Sequence, residues 1–462
     1  MNKKISRYIV FIIATGLVFV SCKVTRSYQR PVINTDSLYR DLSTADTTTI
    51  ADLGWNEFFT DTILQELIVQ GISHNPDLQV AFTRIQQSQA YYLQSGAALF
   101  PALNANASAG ISKFSDAQVA GVNNATQYQL GVSSSWEADI WGKLTSSKRA
   151  GLASLLATES AARAVQTNLV ASIANYYYLL LALDQQLFIT RQTVRNWDTT
   201  VQTMKALKEA ARVTEAAVVQ SEAQRYAAEV TIPDLKQNIK ETENALSILV
   251  GSPPATINRG SLAAEQQVAV LKTGVPIQLL AHRPDVQQAE QNFRYYFELT
   301  NVARTYFYPS LTITGSAGLN ALKLADLFTP GALAASIAGG LTQPVFNQRG
   351  NKTRLEVAKA QQAEALLNFQ NTLLTAGKEV SDAMSLYETA IEKISIRSNQ
   401  LSALEKSVDY TRELLKNGFA NYTEIITARQ SLLQAELGRV NDRLQQLQAV
   451  VNLYSSLGGG WR

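Results

Sequence analysis

The chain of 462 residues repeats itself at a fixed distance, and this feature constrains its fold more than any other. Three pairs of segments match at an offset of 208 residues: His74-Asn75-Pro76-Asp77-Leu78 with His282-Arg283-Pro284-Asp285-Val286, Phe100-Pro101-Ala102-Leu103 with Tyr308-Pro309-Ser310-Leu311, and Ser108-Ala109-Gly110 with Ser316-Ala317-Gly318. Because all three fall in one register, the sequence predicts a duplicated unit. We place repeat one at about 62–250 and repeat two at about 282–457.

Each unit opens with a predicted helix. Pro76 and Pro284 suit the first helical turn, where the missing N–H would have had no partner in any case. Asp77 and Asp285 add negative charge near the positive end of the helix macrodipole. Helices of roughly 24 residues are expected. They should end before the Phe-Pro and Tyr-Pro pairs, because a residue that precedes proline is pushed out of the α region.

After each of these helices, apolar and polar residues alternate. The alternation predicts four strands of about ten residues, within 104–112, 127–137, 310–320 and, more weakly, 333–341. Segments with one apolar and one polar face are typical of membrane strands, although a half-buried soluble sheet gives the same pattern. The export signal described below and the pairing of the strands into hairpins favour a membrane.

Each hairpin is followed by a very long helical stretch and then by a return helix. The four segments are expected at about 145–211, 215–249, 351–416 and 422–457. At a rise of 1.5 Å per residue each long helix would extend about 100 Å, so the sequence predicts coiled-coil packing or a helical tube. Pro233 is expected to interrupt the first return helix. Gly418 is expected to stop the second long helix.

The N-terminus is typical of an export signal. Lys3, Lys4 and Arg7 precede an apolar core at 9–20, which is too short to span a membrane. We predict a lipoprotein signal peptide at residues 1–21 and lipid attachment at Cys22, the only cysteine. An ordinary signal peptide followed by an incidental cysteine is the alternative. In the bacterial lipoprotein pattern, a lysine after the cysteine favours the outer membrane over the inner one.

The predicted strand count has a consequence for assembly. One chain offers four membrane strands, which are too few to close a barrel, and unpaired edges are not tolerated in hydrocarbon. Two copies would give about eight strands, and barrels of that size are filled by side chains. An open duct therefore favours a homotrimer with about twelve strands.

Several motifs, taken in order, resemble those of one bacterial family. They are Tyr28-Gln29-Arg30-Pro31, Trp55-Asn56-Glu57-Phe58-Phe59-Thr60-Asp61, Trp136-Glu137-Ala138-Asp139-Ile140-Trp141-Gly142-Lys143, Arg283-Pro284-Asp285-Val286, Gln343-Pro344-Val345-Phe346 and Leu453-Tyr454-Ser455-Ser456-Leu457-Gly458-Gly459-Gly460-Trp461. The chain resembles the outer-membrane factors of the TolC and OprM type, in particular the lipoproteins that serve resistance-nodulation-division efflux pumps. The resemblance implies a mainly α fold with membrane β: a long α-helical barrel, and four strands per chain in a shared trimeric 12-stranded β-barrel. It also implies a periplasmic adaptor and an inner-membrane pump as partners.

The same resemblance implies a gate at the periplasmic helix tips. Glu424 falls on one of the family's acidic gate positions, whereas Thr427 and Ala420 replace its second carboxylate and its arginine. Gly418 and Glu424 are therefore the candidate gate residues. Both belong to the second repeat, so gating is expected mainly there. A solvated glutamate at a helix end is the alternative reading of Glu424.

The sequence offers no catalytic constellation and no motif for a cofactor or metal. His74 and His282 are repeat equivalents, which indicates shared structural history. The formal net charge is +3, and no basic run with interleaved aromatic residues indicates nucleic-acid binding. Trp136 lies at a predicted strand end, where it suits an aromatic girdle in contact with outer-membrane lipid.

These observations predict a non-enzymatic component of a tripartite efflux system. It would be a passive outer-membrane duct for small molecules, lipid-anchored and extended into the periplasm by its helices. A duct of type I protein secretion and a non-conducting structural lipoprotein that spans the periplasm are the alternatives. Residues 22–60, 251–281 and the C-terminal tail are expected to form a belt around the tube.

Overall fold

The computed structural model describes residues 24–33, 38–40, 47–112, 125–265, 272–274 and 276–462. The first part of the chain contains α1 (Trp55–Phe58), α2 (Thr62–His74), α3 (Pro76–Ala97), β1 (Ala102–Ser112), β2 (Ala125–Ala138), α4 (Lys143–Glu209), α5 (Glu215–Glu229) and α6 (Thr231–Leu249). The second part contains α7 (Leu279–His282), α8 (Pro284–Thr305), β3 (Ser310–Ala321), β4 (Leu333–Thr342), α9 (Gly350–Lys416) and α10 (Tyr422–Ser456). The signal peptide and Cys22 lie outside the described residues.

The two halves of the fold match element by element. Helices α3 and α8 both begin at the predicted proline and both have 22 residues, slightly fewer than expected. Helices α4 and α9 both have 67 residues. The helix-period and strand-period patterns therefore predicted the right elements in both copies. No helix among the described residues is both long and apolar enough to cross a membrane.

The same junction is built twice, from different residues. In the first copy, the side-chain amide of Asn75 donates to the carbonyl of Leu249 at the end of α6 (3.0 Å). In the second, the guanidinium of Arg283 donates to the carbonyl of Ser456 at the end of α10 (2.9 Å). These carbonyls are among those that a helix leaves without an intrahelical partner. Each junction thus ties the C-terminus of a return helix to the start of its own repeat.

A glycine with positive φ follows each return helix at this junction. Gly251 has a φ of 72° and Gly458 has a φ of 95°. A Cβ atom at Gly251 would overlap the carbonyl of His74, and one at Gly458 would overlap the carbonyl of His282. Glycine is required at both positions because the backbones approach closely and the conformation is left-handed. The close contacts thus fall at the two repeat-equivalent histidines.

Contacts divide the chain into two compact units, each made of three segments. The first comprises residues 1–32, 84–159 and 288–369, and it holds the sheet. The second comprises residues 33–83, 160–287 and 370–462, and it holds both helix–helix turns.

The four strands of the first unit form one antiparallel sheet in the order β1-β2-β3-β4. Each strand pairs with its neighbour in sequence, and β2 pairs with β3 across the repeat boundary. Ser133 of β2 lies opposite both Asn104 of β1 and Ser316 of β3. The duplication therefore produces one sheet rather than two separate hairpins.

An extended N-terminal segment also belongs to the first unit and lies along α8. The backbone N–H of Arg26 donates to Asn301 (3.0 Å), and Arg30 forms a forked ion pair with Glu290 (2.6 Å). The ring of Tyr28 packs edge-on against Phe297. Burial, together with the charge of Glu290, raises the pKa of Tyr28 to about 12.

Pro233 interrupts the first return helix, as predicted. Helix α5 ends at Glu229, one residue, Val230, separates it from α6, and Pro233 is the third residue of α6. A proline has no N–H to donate to the carbonyl four residues earlier. Helix α10 has no proline and continues unbroken for 35 residues.

Candidate functional site: a two-faced sheet and paired helix tips

The register of the sheet separates polar from apolar side chains. One row across the four strands consists of Asn104, Ser133, Ser316 and Ser336. A second row, on the opposite face of the sheet, consists of Ala107, Leu130, Leu319 and Leu333. Side chains alternate between faces along a strand. The sheet therefore has one polar and one apolar surface, as the alternation predicted.

The two outer strands leave one edge each without a partner among the described residues. Strand β1 pairs only with β2, and β4 pairs only with β3. Apolar side chains on these strands are largely exposed, including Leu103 (72%), Ile111 (77%) and Ile337 (83%). A long edge strand with an exposed apolar face is a ready template for pairing with another chain.

Two tryptophans mark the ends of the strands in the first unit. The indole N–H of Trp136 donates to the carbonyl of Leu99 (2.9 Å). The indole N–H of Trp141 donates to the carbonyl of Pro309 (2.8 Å), and its ring lies 5.0 Å from the ring of Tyr308. Both side chains hold the turns that precede β1 and β3. A position of Trp136 in a lipid-facing girdle stays a prediction.

In the second unit, both long helices end in the same backbone motif. After α9, Gly418 has a φ of 79°, and the N–H of Phe419 donates to the carbonyl of Leu414 (2.9 Å). After α4, Ala211 has a φ of 55°, and the N–H of Arg212 donates to the carbonyl of Leu207 (2.8 Å). This is the Schellman ending, whose left-handed residue is usually glycine. Gly418 thus stops its helix as predicted, and an alanine takes the same conformation in the first copy.

Glu424 lies in the first turn of α10 and is exposed. Its carboxylate accepts from the backbone N–H of Asn421 (3.3 Å), while the Asn421 side chain accepts from the N–H of Thr423 (3.2 Å). This reciprocal arrangement is a capping box, which satisfies N–H groups at a helix start. Thr427 donates its hydroxyl to the carbonyl of Thr423 (3.0 Å), a bond within the helix. Glu424 therefore has a structural task in the single chain, and its gating role stays a prediction.

The tip of α10 packs against the first hairpin. Ile425 is buried against Met204 of α4 and against Ala217 and Val218 of α5. Arg212 also donates from its guanidinium to the carbonyl of Lys416, the last residue of α9 (3.2 Å). The two turns are therefore in direct contact.

A partly buried polar cluster in the second unit has no simple sequence signal. The hydroxyl of Tyr177 donates to Asp61 and accepts from the N–H of Gly260 (3.2 Å). Burial and a hydrogen bond to Asp61 raise the pKa of Glu265 to about 7. Burial alone would raise the pKa of Asp61 as well, but hydrogen bonds from Tyr177 and from the backbone N–H of Ile63 hold it below its usual value. Two carboxyl groups thus share one half-buried site, and the protonated form is favoured at Glu265 rather than at Asp61.

The described residues contain no group of three His, Cys, Asp or Glu side chains that could hold a metal ion. A sheet with one polar and one apolar face, together with long helical hairpins, is the combination expected of a channel-forming protein.

Similarity to known proteins agrees with this class. The outer membrane efflux protein family model matches residues 67–252 and 275–459, so it matches the chain twice. A probable efflux pump outer membrane protein of Pseudomonas putida, TtgC, is 28% identical over 459 residues, which cover 97% of this chain and 94% of the relative. The cation efflux system protein CusC of Escherichia coli is 28% identical over 460 residues, 97% of each chain. A crystal structure of CusC superimposes with a TM-score of 0.87 at 25% identity, covering 95% of this chain and all of that one.

The chain belongs to the outer membrane efflux protein family. The predicted fold is confirmed: a mainly helical chain with few strands and a duplicated unit of the TolC type. The predicted function and location are confirmed as well, because the protein is an outer-membrane channel component of an efflux system.

Proposed function

We propose that three copies of this chain close a shared twelve-stranded barrel and form a passive duct for small molecules. In this proposal, a periplasmic adaptor and an inner-membrane pump supply the cargo and the energy, and the chain itself performs no chemistry. The observation that carries the proposal is the pair of free edges, on β1 and β4, of a sheet with one apolar face. Such edges are stable in a membrane only when another chain pairs with them.

The duplication also predicts the register between neighbouring copies. Within the chain, Ser133 of β2 lies opposite Ser316 of β3. The repeat equivalent of Ser133 is Gly340 on β4, at the offset of 207 residues that relates α4 to α9. The repeat equivalent of Ser316 is Ser108 on β1, at the offset of 208 residues that relates β1 to β3. Gly340 of one copy should therefore lie opposite Ser108 of the next.

Cysteine cross-linking tests this register. Cysteines at positions 108 and 340 should form a disulfide between chains under mild oxidation, because opposed residues in antiparallel strands have Cα atoms about 4.5–5.5 Å apart. A Cβ atom at Gly340 meets no other atom within 4 Å, so the substitution is tolerated locally. The matched control moves the second cysteine by one residue, to the position of Leu341, where it points to the opposite face. Covalent trimers from the control but not from the 108–340 pair would overturn the register.

Conductance tests the duct itself. Purified trimers should give pore events in a planar lipid bilayer, and a Glu424→Gln substitution should change their cation selectivity if a ring of three glutamates lines the gate. Glutamine preserves the capping box, since either residue can accept from the Asn421 N–H. The change therefore removes charge without removing the helix cap. Trimers that never conduct, even with Gly418 and Glu424 both substituted, would refute the duct and favour a structural lipoprotein.

The described N-terminal segment supports a lipid anchor at Cys22. Thr25 lies against Gly142, in the turn that follows β2. The described part of the segment therefore begins close to the strand ends. Intact-mass measurement of the mature protein should show a diacylglycerol thioether and an acylated N-terminus. An unmodified thiol at this position would show that the segment before it is an ordinary signal peptide.

The relatives differ in the cargo that their names state: TtgC is named for an efflux pump without a stated cargo, and CusC for cation efflux. We therefore propose small-molecule efflux as the class of transport and leave type I protein secretion as the second candidate. Co-purification of the native partners separates them: a resistance-nodulation-division pump supports efflux, and an ATP-driven secretion transporter supports the alternative. We also propose that residues 22–60, 251–281 and the C-terminal tail form a belt around the tube.

A further inference from the structure

The polar face of the sheet is almost free of charge. Among the residues of the four strands, Glu137 is the only one that is charged at neutral pH, because the strands contain no aspartate, lysine, arginine or histidine. The remaining polar side chains on this face are serine, threonine, asparagine and glutamine. Some bond to one another across strands: Gln127 donates to Asn320 (3.0 Å), and Ser316 bonds to Ser336 (2.8 Å).

The single charge is neutralised within the fold. The ammonium group of Lys143, the first residue of α4, lies 3.0 Å from both carboxylate oxygens of Glu137. About 30% of each side chain is exposed, so the pair is partly withdrawn from water. At this spacing the fields of the two charges largely cancel beyond a few ångströms, and salt screens what remains.

The helix tips carry more charged side chains than the strands do. The last eight residues of α9 contain four charged side chains: Asp409, Arg412, Glu413 and Lys416. All four are exposed. They form two ion pairs, Asp409–Arg412 (3.1 Å) and Glu413–Lys416 (2.7 Å), so the tips differ from the strands in the number of charged groups that water reaches and not in net charge.

We propose that the strand part of the duct is a charge-indifferent exit, which discriminates between solutes by size and hydrogen bonding but not by the sign of their charge. The inference rests on the proposed function, because it requires the polar face to line the duct. An outward apolar face and a polar lumen are the arrangement expected of strands in an outer membrane. Selection by charge, where it occurs, is then left to parts of the duct other than the strands.

Thiol-reaction rates measure the local potential directly. Ser133→Cys places one thiol in the central polar row, between Asn104 and Ser316. Its rates with a cationic and an anionic methanethiosulfonate reagent are measured in reconstituted trimers and divided by the rates with a free thiol in solution. We expect a normalised ratio of about one. A local potential of one kT would separate the two reagents by about sevenfold, because each rate changes by a Boltzmann factor in opposite directions.

Two control variants fix the interpretation. Ser134→Cys lies on the opposite face, across from Leu103 and Gly315, and should react with neither reagent in a lipid bilayer. Ser135→Cys lies two residues from Glu137 and should favour the cationic reagent several-fold once Lys143→Gln removes the neutralising charge. Protein without an introduced cysteine supplies the background.

The outcomes are distinct. A normalised ratio above about fivefold in the Ser133→Cys variant would overturn the neutral exit while the duct itself stands. Reaction of the Ser134→Cys variant but not of the Ser133→Cys variant would reverse the two faces and refute the inference together with the lumen assignment. Absence of pore events concerns the duct alone and is measured separately in the bilayer.

Discussion

Arg283 is the most connected polar side chain in the second junction, and its removal gives the sharpest test of the fold. Only 8% of its side chain is exposed. Its guanidinium donates to the carbonyl of Ser456 (2.9 Å), to Glu379 (2.7 Å) and, through two nitrogens, to Asp285 (2.9 and 2.5 Å). We consider Arg283→Met, which keeps most of the aliphatic volume and removes every hydrogen bond.

The magnitude follows from what each partner loses. The Ser456 carbonyl would stay buried without a donor, which costs about 1–3 kcal/mol. Asp285 and Glu379 are 38% and 45% exposed, so water replaces the guanidinium and each pair adds at most about 1 kcal/mol. These contributions together span about 1–5 kcal/mol, and we take the middle of that span, about 2–4 kcal/mol, as the expected loss at the end of α10.

Hydrogen–deuterium exchange of intact trimers measures this loss locally. Amides in residues 450–457 should exchange about 30-fold to 1000-fold faster in Arg283→Met, since about 1.4 kcal/mol corresponds to a factor of ten. The matched control is Asn75→Ala, which should accelerate exchange at the end of α6 instead, by the smaller amount typical of a lost cap. Unchanged exchange in residues 450–457, with acceleration elsewhere, would refute the assignment of Arg283 to that helix end.

Three further outcomes follow from the described geometry. Gly418→Ala should destabilise the second turn by about 1 kcal/mol, and Ala211→Gly should stabilise the first by a similar amount, because only glycine takes a positive φ without cost. Hydrogen–deuterium exchange at the two turns measures both effects, and changes of the same sign would contradict the reasoning. Trp136→Phe should weaken the turn before β1 by about 1 kcal/mol through the loss of one hydrogen bond, read out as faster proteolysis near Leu99. The raised pKa of Glu265 means that the protonated form is favoured in the folded state. The stability that this group contributes should therefore be greatest below about pH 4.5 and should fall as the pH rises towards about 7. Hydrogen–deuterium exchange across this range should lose that dependence in Glu265→Gln, and a dependence that persists would belong to another group.

Local sequence patterns predicted much of the fold. Pro76 and Pro284 begin helices because their fixed φ suits a first turn, and the structure places both there. The alternating segments became strands whose register keeps polar and apolar residues on separate faces. Pro233 interrupts its helix for the same kind of reason, since its effect depends on neighbours four residues away.

The candidate site was predictable only in part. Gly418 gave a clear signal because glycine marks left-handed helix ends, but Ala211 gave none, since alanine rarely takes that conformation. Glu424 was identified through resemblance, and the structure adds a capping role that its spacing from Asn421 already allowed. The pairing of Asp61 with Glu265 joins residues about 200 positions apart, so no window of local sequence contains it.

The sequence by itself determined the duplicated unit, because matching segments recur at one offset of 208 residues. It also determined the order of helices and strands and the two-faced character of the sheet, because these depend on residues close together in the chain. Tertiary structure decided how the copies are joined: Asn75 and Arg283 occupy equivalent positions and reach equivalent carbonyls with unrelated side chains. It also decided that β2 of one repeat pairs with β3 of the other. These contacts depend on where distant segments meet, and periodicity within a segment carries no information about that distance.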